Sequence, residues 1–515
     1  MPTPPVLIRP RRSMVFFAIL AILMVILSYV ILVLLAAICV VFPYLLLQSG
    51  HDNFQVLIIF LFGLAIAGAL LWSLVPRRDK FVPPGPLLHR ADHPRLFQEL
   101  DRIAASLAEG LPREVYLIPD MNAFVADRGG ILGFGSHRIM GLGLPLLSIL
   151  SISEFRAILA HEFAHYYGGD TSLGPWVYKA RSAIIRVFKN VGSLGKLARF
   201  WVLAIMYMVI TTILKWYFEF FITITNQISR QQEFRADELA CIVAGPQPLI
   251  DGLRAINGAG PAWPTYWNTE VAPLLNNGAI PGIGDGFARF VAAPAIAKQI
   301  DNMLGKQLLK AKSDPYDTHP VLRDRIAAAA KLPPLSDQRE TLKALSLLEN
   351  VPQTELKFVQ ALGPRYAAAA LLPVGWDQLA GTVTLPTWKK KVEACGRVLD
   401  GYTLARLPEA VGKLRDIGSE MRDPKGTLLT PEQRLNRAAD LLGVALGLSL
   451  VNNGWQLHVQ PGEFDLKRGE DTINPYLTIQ GLKSGELSRE AWQTKCHQLQ
   501  ISDLPLAAAA IPLRS

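Results

Sequence analysis

The stretch from Ala157 to Asp170 reads AILAHEFAHYYGGD and places His161 and His165 four residues apart with Glu162 beside the first. On a helix those two imidazoles share one face, separated by roughly 6 Å along the axis, a spacing that suits two ligands of one tetrahedral metal ion. Glu162 then stands where its carboxylate can take a proton from a water held by the metal. This HExxH pattern is a known metal-hydrolase signature. A two-histidine site needs a third protein ligand, and SRQQEFRADELA from Ser229 to Ala240 offers one. Glu233 and Asp237 are four apart, hence on one helical face, with the small Ala236 and Ala240 letting a second helix approach. Glu233 completes a His2Glu set with a fourth position left for water. Asp237 is placed to accept a hydrogen bond from the outer nitrogen of His161, fixing its tautomer.

The elements that must carry these residues are legible nearby. Ser151 followed by Glu154 is a capping-box pattern, Phe155, Ile158 and Leu159 make an apolar face, and Gly168-Gly169 ends the helix. Upstream, helical spacing runs from Leu96 to Leu107, Glu114–Ile118 looks like a short strand, and Ile131 to Leu142 mixes glycine with apolar residues as a small sheet would. Long helical patterns follow as far as Leu332, where Pro333-Pro334 breaks the chain. From about residue 335, helical stretches alternate with turn-rich segments.

Composition points to a membrane. Of 515 residues, 50% are apolar, and the mean hydropathy is positive. The net charge of +9 is not gathered into basic runs interleaved with aromatics, which argues against nucleic acid. It reads instead as Lys and Arg flanking apolar spans. The cysteines, Cys39, Cys241, Cys395 and Cys496, form no CxxC pair, so a disulfide framework or thiolate zinc site is not indicated. Met14–Leu47 and Phe54–Val75 contain no charged residue, and each exceeds the roughly 20 residues that cross a hydrocarbon core. Arg9, Arg11 and Arg12 precede the first and Arg77, Arg78 and Lys80 follow the second, whereas the linker between them has no Lys or Arg. By the positive-inside rule both outer flanks are cytoplasmic. A shorter apolar stretch, 200–228, is interrupted by Lys215 and Glu219. Since His165 and Glu233 must reach one ion, the chain between them crosses the bilayer an even number of times. The expectation is a helix resting on or dipping into the cytoplasmic face, with a re-entrant hairpin or a long core helix as the alternatives.

The ordered motifs resemble the HtpX/Ste24-type membrane zinc metalloproteases of peptidase family M48. HEFAH and EFRAD match, as do Met121-Asn-Ala-Phe-Val125 and the Thr318-His-Pro320 segment with its trailing arginine. The resemblance spans about 85–335. It implies an α+β, predominantly helical zincin (gluzincin-like) domain with a small β-sheet, and one Zn2+ bound by His161, His165 and Glu233, with Glu162 as general base and acid. It further implies that Asn122 and Ala123 lie beside a substrate added as a strand. His319 and Arg325 would steady the oxyanion, and Asp170 would support the ligands from outside.

The chain is accordingly expected to comprise a cytoplasmic tail with two transmembrane helices over 1–80, a metallopeptidase domain over 81–335, and a mostly helical C-terminal extension over 336–515. Its expected function is membrane-anchored zinc endopeptidase, acting on membrane or misfolded proteins from the cytoplasmic side of a bacterial inner membrane. Its partners are then a protein substrate and the lipid bilayer, with no nucleic acid. A scaffold without turnover is the rival reading, and the retained Glu162 argues against it.

Overall fold

The computed structural model describes residues 12–48, 54–75, 81–129, 135–166, 185–197, 201–309, 319–335, 339–421 and 430–506. Among the described residues it is mostly helical with three small sheets. Two compact units are present, one built from 1–260 with 301–362, the other from 261–300 with 363–515.

The first unit begins with α1 (Arg12–Gln48) and α2 (Phe54–Leu74), packed as a hairpin. They approach closely at Gly63, where a Cβ would lie 2.0 Å from the carbonyl oxygen of Cys39. The apolar side chains on their outer faces, such as Leu23, Phe42, Leu61 and Trp72, stand exposed, as lipid-facing residues do. After the strand β1 (Leu87–Leu88) and the helix α3 (Pro94–Ser106), three further strands follow: β2 (Glu114–Ile118), β3 (Ala123–Arg128) and β4 (His137–Gly143). The sheet order is β1-β2-β4-β3, with β2 and β4 parallel and β3 antiparallel to β4, so β3 is an edge. Gly141 and Gly143 are required here. A Cβ on the first would meet the Phe124 ring at 2.4 Å, and on the second the Asp120 carbonyl oxygen at 2.1 Å.

The short helix α4 (Leu144–Ile149) leads into α5 (Ile152–Ala164), whose capping box between Ser151 and Glu154 is fully formed. A strap from the far side of the unit holds that N-terminus. Ile152 N–H donates to the Leu342 carbonyl and Ala344 N–H to that of Leu150, each at 2.8 Å. Arg156 ties α5 to Glu99 of α3 and, at 2.7 Å, to Glu340 of the strap.

Residues 185–194 form a helix, α6, and Trp201–Ala244 form a single 44-residue helix, α7. At 1.5 Å per residue α7 is about 66 Å long, twice a hydrocarbon core. Its first half packs beside the hairpin: Leu203, Ile210 and Leu214 join Leu32, Leu35 and Ile66 in one core, and Tyr217 Oη donates to the Met24 carbonyl at 2.5 Å. Asn190 of α6 donates to Ser73 Oγ near the end of α2 at 2.8 Å. Residues 201–228 are the first part of α7. They pair with α6, whose Arg186 and Lys189 hide it from hydropathy. α6 meets the bundle at the C-terminal end of α2, and α7 packs along it. Tyr217 is buried against α1, whereas Trp201 and Trp216 remain exposed. Among the described residues three helices, Ile22–Gln48, Phe54–Leu74 and Leu203–Ala244, are long and apolar enough to cross a membrane.

The second unit comprises 261–300 together with 363–515. Residues 261–300 belong to it because strand Ala279–Pro281 pairs in parallel with Leu372–Val374, and because Trp263, Tyr266 and Phe287 make an aromatic core that Trp376 joins. A second core gathers around the helix Pro431–Asn452, where Leu442 and Leu446 pack with Trp492 and Ile501, next to a three-stranded antiparallel sheet over 456–473.

Candidate metal centre

Helix packing brings the two metal-motif helices together. α5 lies against α7 and α8 (Pro246–Ala259), and its small residues Ala157, Ala160 and Ala164 are buried, as are Ala236 and Ala240 of α7. Small side chains on both helices let the longer polar ones meet between them. Glu233 sits 32 residues beyond Trp201, roughly 48 Å along α7, so one rigid rod joins the apolar bundle to this site.

His161 Nε2 lies 3.4 Å from Glu233 Oε2, and His165 Nε2 lies 3.5 Å from Glu233 Oε1. Ligand atoms from all three residues fall within 4.8 Å of one another. Ligands about 2.1 Å from a tetrahedral zinc are spaced ~3.4 Å apart, so the trio fits such an ion after a small closure of the two histidines. The buried Glu233 Oε2 also makes no hydrogen bond of acceptable geometry, although His161, His319 and Arg325 surround it. An acceptor so placed suits a metal better than a proton donor.

Behind the trio lies a buried ionic network. Asp237, only 2% exposed, accepts from Arg325 Nε at 2.8 Å and Nη2 at 2.6 Å, and its Oδ1 is 2.9 Å from His161 Nδ1. Facing a carboxylate, Nδ1 carries the proton and leaves Nε2 able to bind a metal. Arg325 belongs to the helix Leu322–Ala329, packed on α7 and α8, and its Nη1 is 3.3 Å from Glu233 Oε2. Its fork is thus engaged with Asp237 and Glu233. Bidentate pairing of this kind fixes the plane of the guanidinium.

The electrostatics follow from burial and these contacts. Burial alone would lower the His161 pKa, but Asp237 and Glu233 outweigh it and hold the imidazole up to about 9. Burial would raise Glu233, yet His161, His165 and His319 keep it well below the usual carboxylate range. Asp237 is likewise held low against its burial by Arg325 and His161. Glu162 moves the other way, because burial pushes its carboxyl up. A carboxyl raised toward neutrality beside a prospective metal has the profile of a group that takes and returns a proton.

The remaining expected residues are placed as follows. His319 is 59% exposed at the mouth, with Nδ1 3.0 Å from Glu233 Oε2. Asn122 is exposed just before β3 and Ala123 is buried as its first residue, on the strand that packs on α5. Asp170 lies outside the described residues. The sequence reading misses Tyr166. It follows His165 directly, and its hydroxyl donates to the Val125 carbonyl of β3 at 2.8 Å.

The family model for peptidase family M48 matches residues 90–332, a segment that contains every side chain of this centre. Those residues are therefore similar to the M48 peptidases. The chain is similar to Protease HtpX of Xylella fastidiosa (strain M23), 29% identical over 217 residues that cover 40% of this chain and 70% of that protein. It is also similar to Protease HtpX homolog 2 of Methanosarcina mazei, 25% identical over 307 residues, 58% of this chain and 92% of that one. Protease HtpX of Pseudoalteromonas atlantica is 26% identical over 282 residues, covering 50% and 89%. These similarities support a membrane metalloendopeptidase, and the matched family implies a metal cofactor, generally zinc, for which the His161, His165 and Glu233 donor set is chemically suited.

Proposed function

We propose that this chain is a zincin-type endopeptidase that holds one zinc through His161, His165 and Glu233, with Glu162 as its proton carrier. Zinc, when bound, supplies Lewis-acid activation of water and of the scissile carbonyl. Glu162 accepts a proton from the attacking water and returns it to the departing amine, a task for which its raised pKa fits it. Asp237 orients His161 through Nδ1, and Arg325 positions Asp237. His319, exposed at the mouth, is the group with room to turn toward the oxyanion. The substrate enters extended along the edge strand β3, next to Asn122 and Ala123. Membrane or misfolded proteins are the proposed substrates, and the catalytic domain faces the cytoplasm, as the charges flanking the first two spans suggest.

The observation that carries this reading is the convergence of the three donor atoms from α5 and α7. Its test is casein cleavage by the detergent-solubilised protein and by Glu162→Gln, with bound zinc measured in both. Cleavage by the parent alone, with equal zinc, is expected. Equal zinc with cleavage by neither protein favours a scaffold, and cleavage by both removes Glu162 from the mechanism.

A further inference from the structure

The edge strand β3 is not uniformly open. Gly143 N–H donates to the Asn122 carbonyl at 2.9 Å, which fixes the phase of the β3–β4 pairing. Since backbone groups alternate sides along a strand, Asn122, Phe124 and Ala126 direct theirs toward β4, and Ala123, Val125 and Asp127 direct theirs to the outer edge. On that edge the Val125 carbonyl is already taken by Tyr166 Oη.

Tyr166 is itself held. The Arg138 guanidinium lies over its ring, 4.2 Å from the centroid, and Arg138 is paired with Glu109 at 3.0 Å. The hydroxyl is thus pinned at the edge from two directions, by its ring partner and by its acceptor. A peptide strand laid along β3 would meet the outward backbone groups of Ala123 and, two residues on, an occupied acceptor.

We propose that Tyr166 is a register stop for the substrate strand: it lets an extended peptide pair with Ala123 and prevents the ladder from continuing through Val125. This rests on the strand-addition reading above. The stop sets how many substrate residues on one side of the scissile bond contribute to binding, and it makes Tyr166 a positioning residue that selects by backbone length without reading side chains. The position immediately after His165 places the stop next to the ligand helix, so the register it sets is measured from the metal.

The test uses full-length, zinc-loaded Glu162→Gln protein, which binds without cutting, with and without Tyr166→Phe. The phenyl ring keeps the stacking on Arg138 and removes only the hydroxyl. Binding of nested fluorescent peptides from one casein segment, lengthened one residue at a time at either end, is followed by anisotropy. With Tyr166 present, affinity should reach a plateau at one end of the series. Tyr166→Phe should gain a further roughly fivefold beyond that plateau, the yield of one backbone hydrogen bond, and match the parent on all shorter peptides. Identical length profiles in the two proteins would overturn the stop while leaving strand addition intact. Affinities independent of length, and of N-methylation of the peptide backbone, in both proteins would overturn strand addition and the stop with it.

Discussion

Replacing Asp237 by Asn separates the metal site from the network behind it. The amide keeps the size of the side chain but removes the charge that Arg325 meets at 2.6 and 2.8 Å and that His161 Nδ1 meets at 2.9 Å. Two costs follow. Breaking a buried ion pair from one side leaves the guanidinium with Glu233 alone as counter-charge, for which about 3 kcal/mol of lost stability is expected. Loosening the hydrogen bond that orients a ligand histidine weakens metal binding by about tenfold to a hundredfold, or ~1.4–2.7 kcal/mol. The two costs can be told apart with the double variant Asp237→Leu/Arg325→Met, which removes both charges together. That variant should recover most of the stability lost in Asp237→Asn and none of the zinc affinity, because His161 still lacks its acceptor. Thermal unfolding of the metal-free proteins and competition with a zinc chelator measure the two quantities. Unchanged chelator midpoints in both variants would refute the orienting role of Asp237, and unchanged stability in Asp237→Asn would refute the buried pair.

Zinc binding should be strongly pH-dependent: with His161 held up to about 9 in the metal-free site, the ion must displace that proton, so apparent affinity should rise about tenfold per pH unit from neutrality and level off near 9. In the metal-free fold the raised His161 pKa contributes stability below its unfolded value of about 6.5 that is lost as pH rises through about 9. The lowered Glu233 and Asp237 contribute stability above about 4.5 that is lost on acidification. The metal-free protein should therefore melt highest near about pH 5–6, and the gain in melting temperature on adding zinc should grow toward about pH 9, as scanning calorimetry would show. Ser229→Pro, in the stretch of α7 between the apolar bundle and Glu233, should cost about 3 kcal/mol or more and abolish zinc retention while the protein still fractionates with membranes. Gly63→Leu should split the α1–α2 hairpin, lowering the melting temperature in detergent, because its Cβ would lie 2.0 Å from a carbonyl oxygen.

The parts of this chain that sequence made visible are those set by short-range periodicity. The Ser151–Glu154 cap, the histidine pair and the Glu233–Asp237 pair are all spaced within about one helical turn, and the two uncharged spans are long enough to need no context. What escaped was set by partners distant in the chain. α6 carries Arg186 and Lys189 and looks polar, yet Asn190 finds Ser73 and Val187 a buried core. α7 reads as two pieces because Lys215 and Glu219 interrupt its apolar run, although at 3.8 Å they form a pair on one exposed face. The pairing of Arg325 with Asp237, 88 residues earlier, is likewise beyond any local pattern. Residues 261–300 sit inside the family-matched stretch but complete a core with Trp376, which no local pattern could announce. Tyr166 carried a faint signal, an aromatic residue with a hydrogen-bonding tip directly after a ligand, but its acceptor is a backbone atom of another element.

The central claim is that His161, His165 and Glu233 hold one zinc ion between α5 and α7. X-ray absorption at the zinc edge on the purified parent, with Glu233→Ala beside it, tests this most directly. Two imidazoles and a carboxylate oxygen among four light-atom neighbours near about 2.0–2.1 Å are expected in the parent, with the carboxylate contribution lost in the variant. Sulfur neighbours near about 2.3 Å, or an environment indifferent to Glu233, would contradict it.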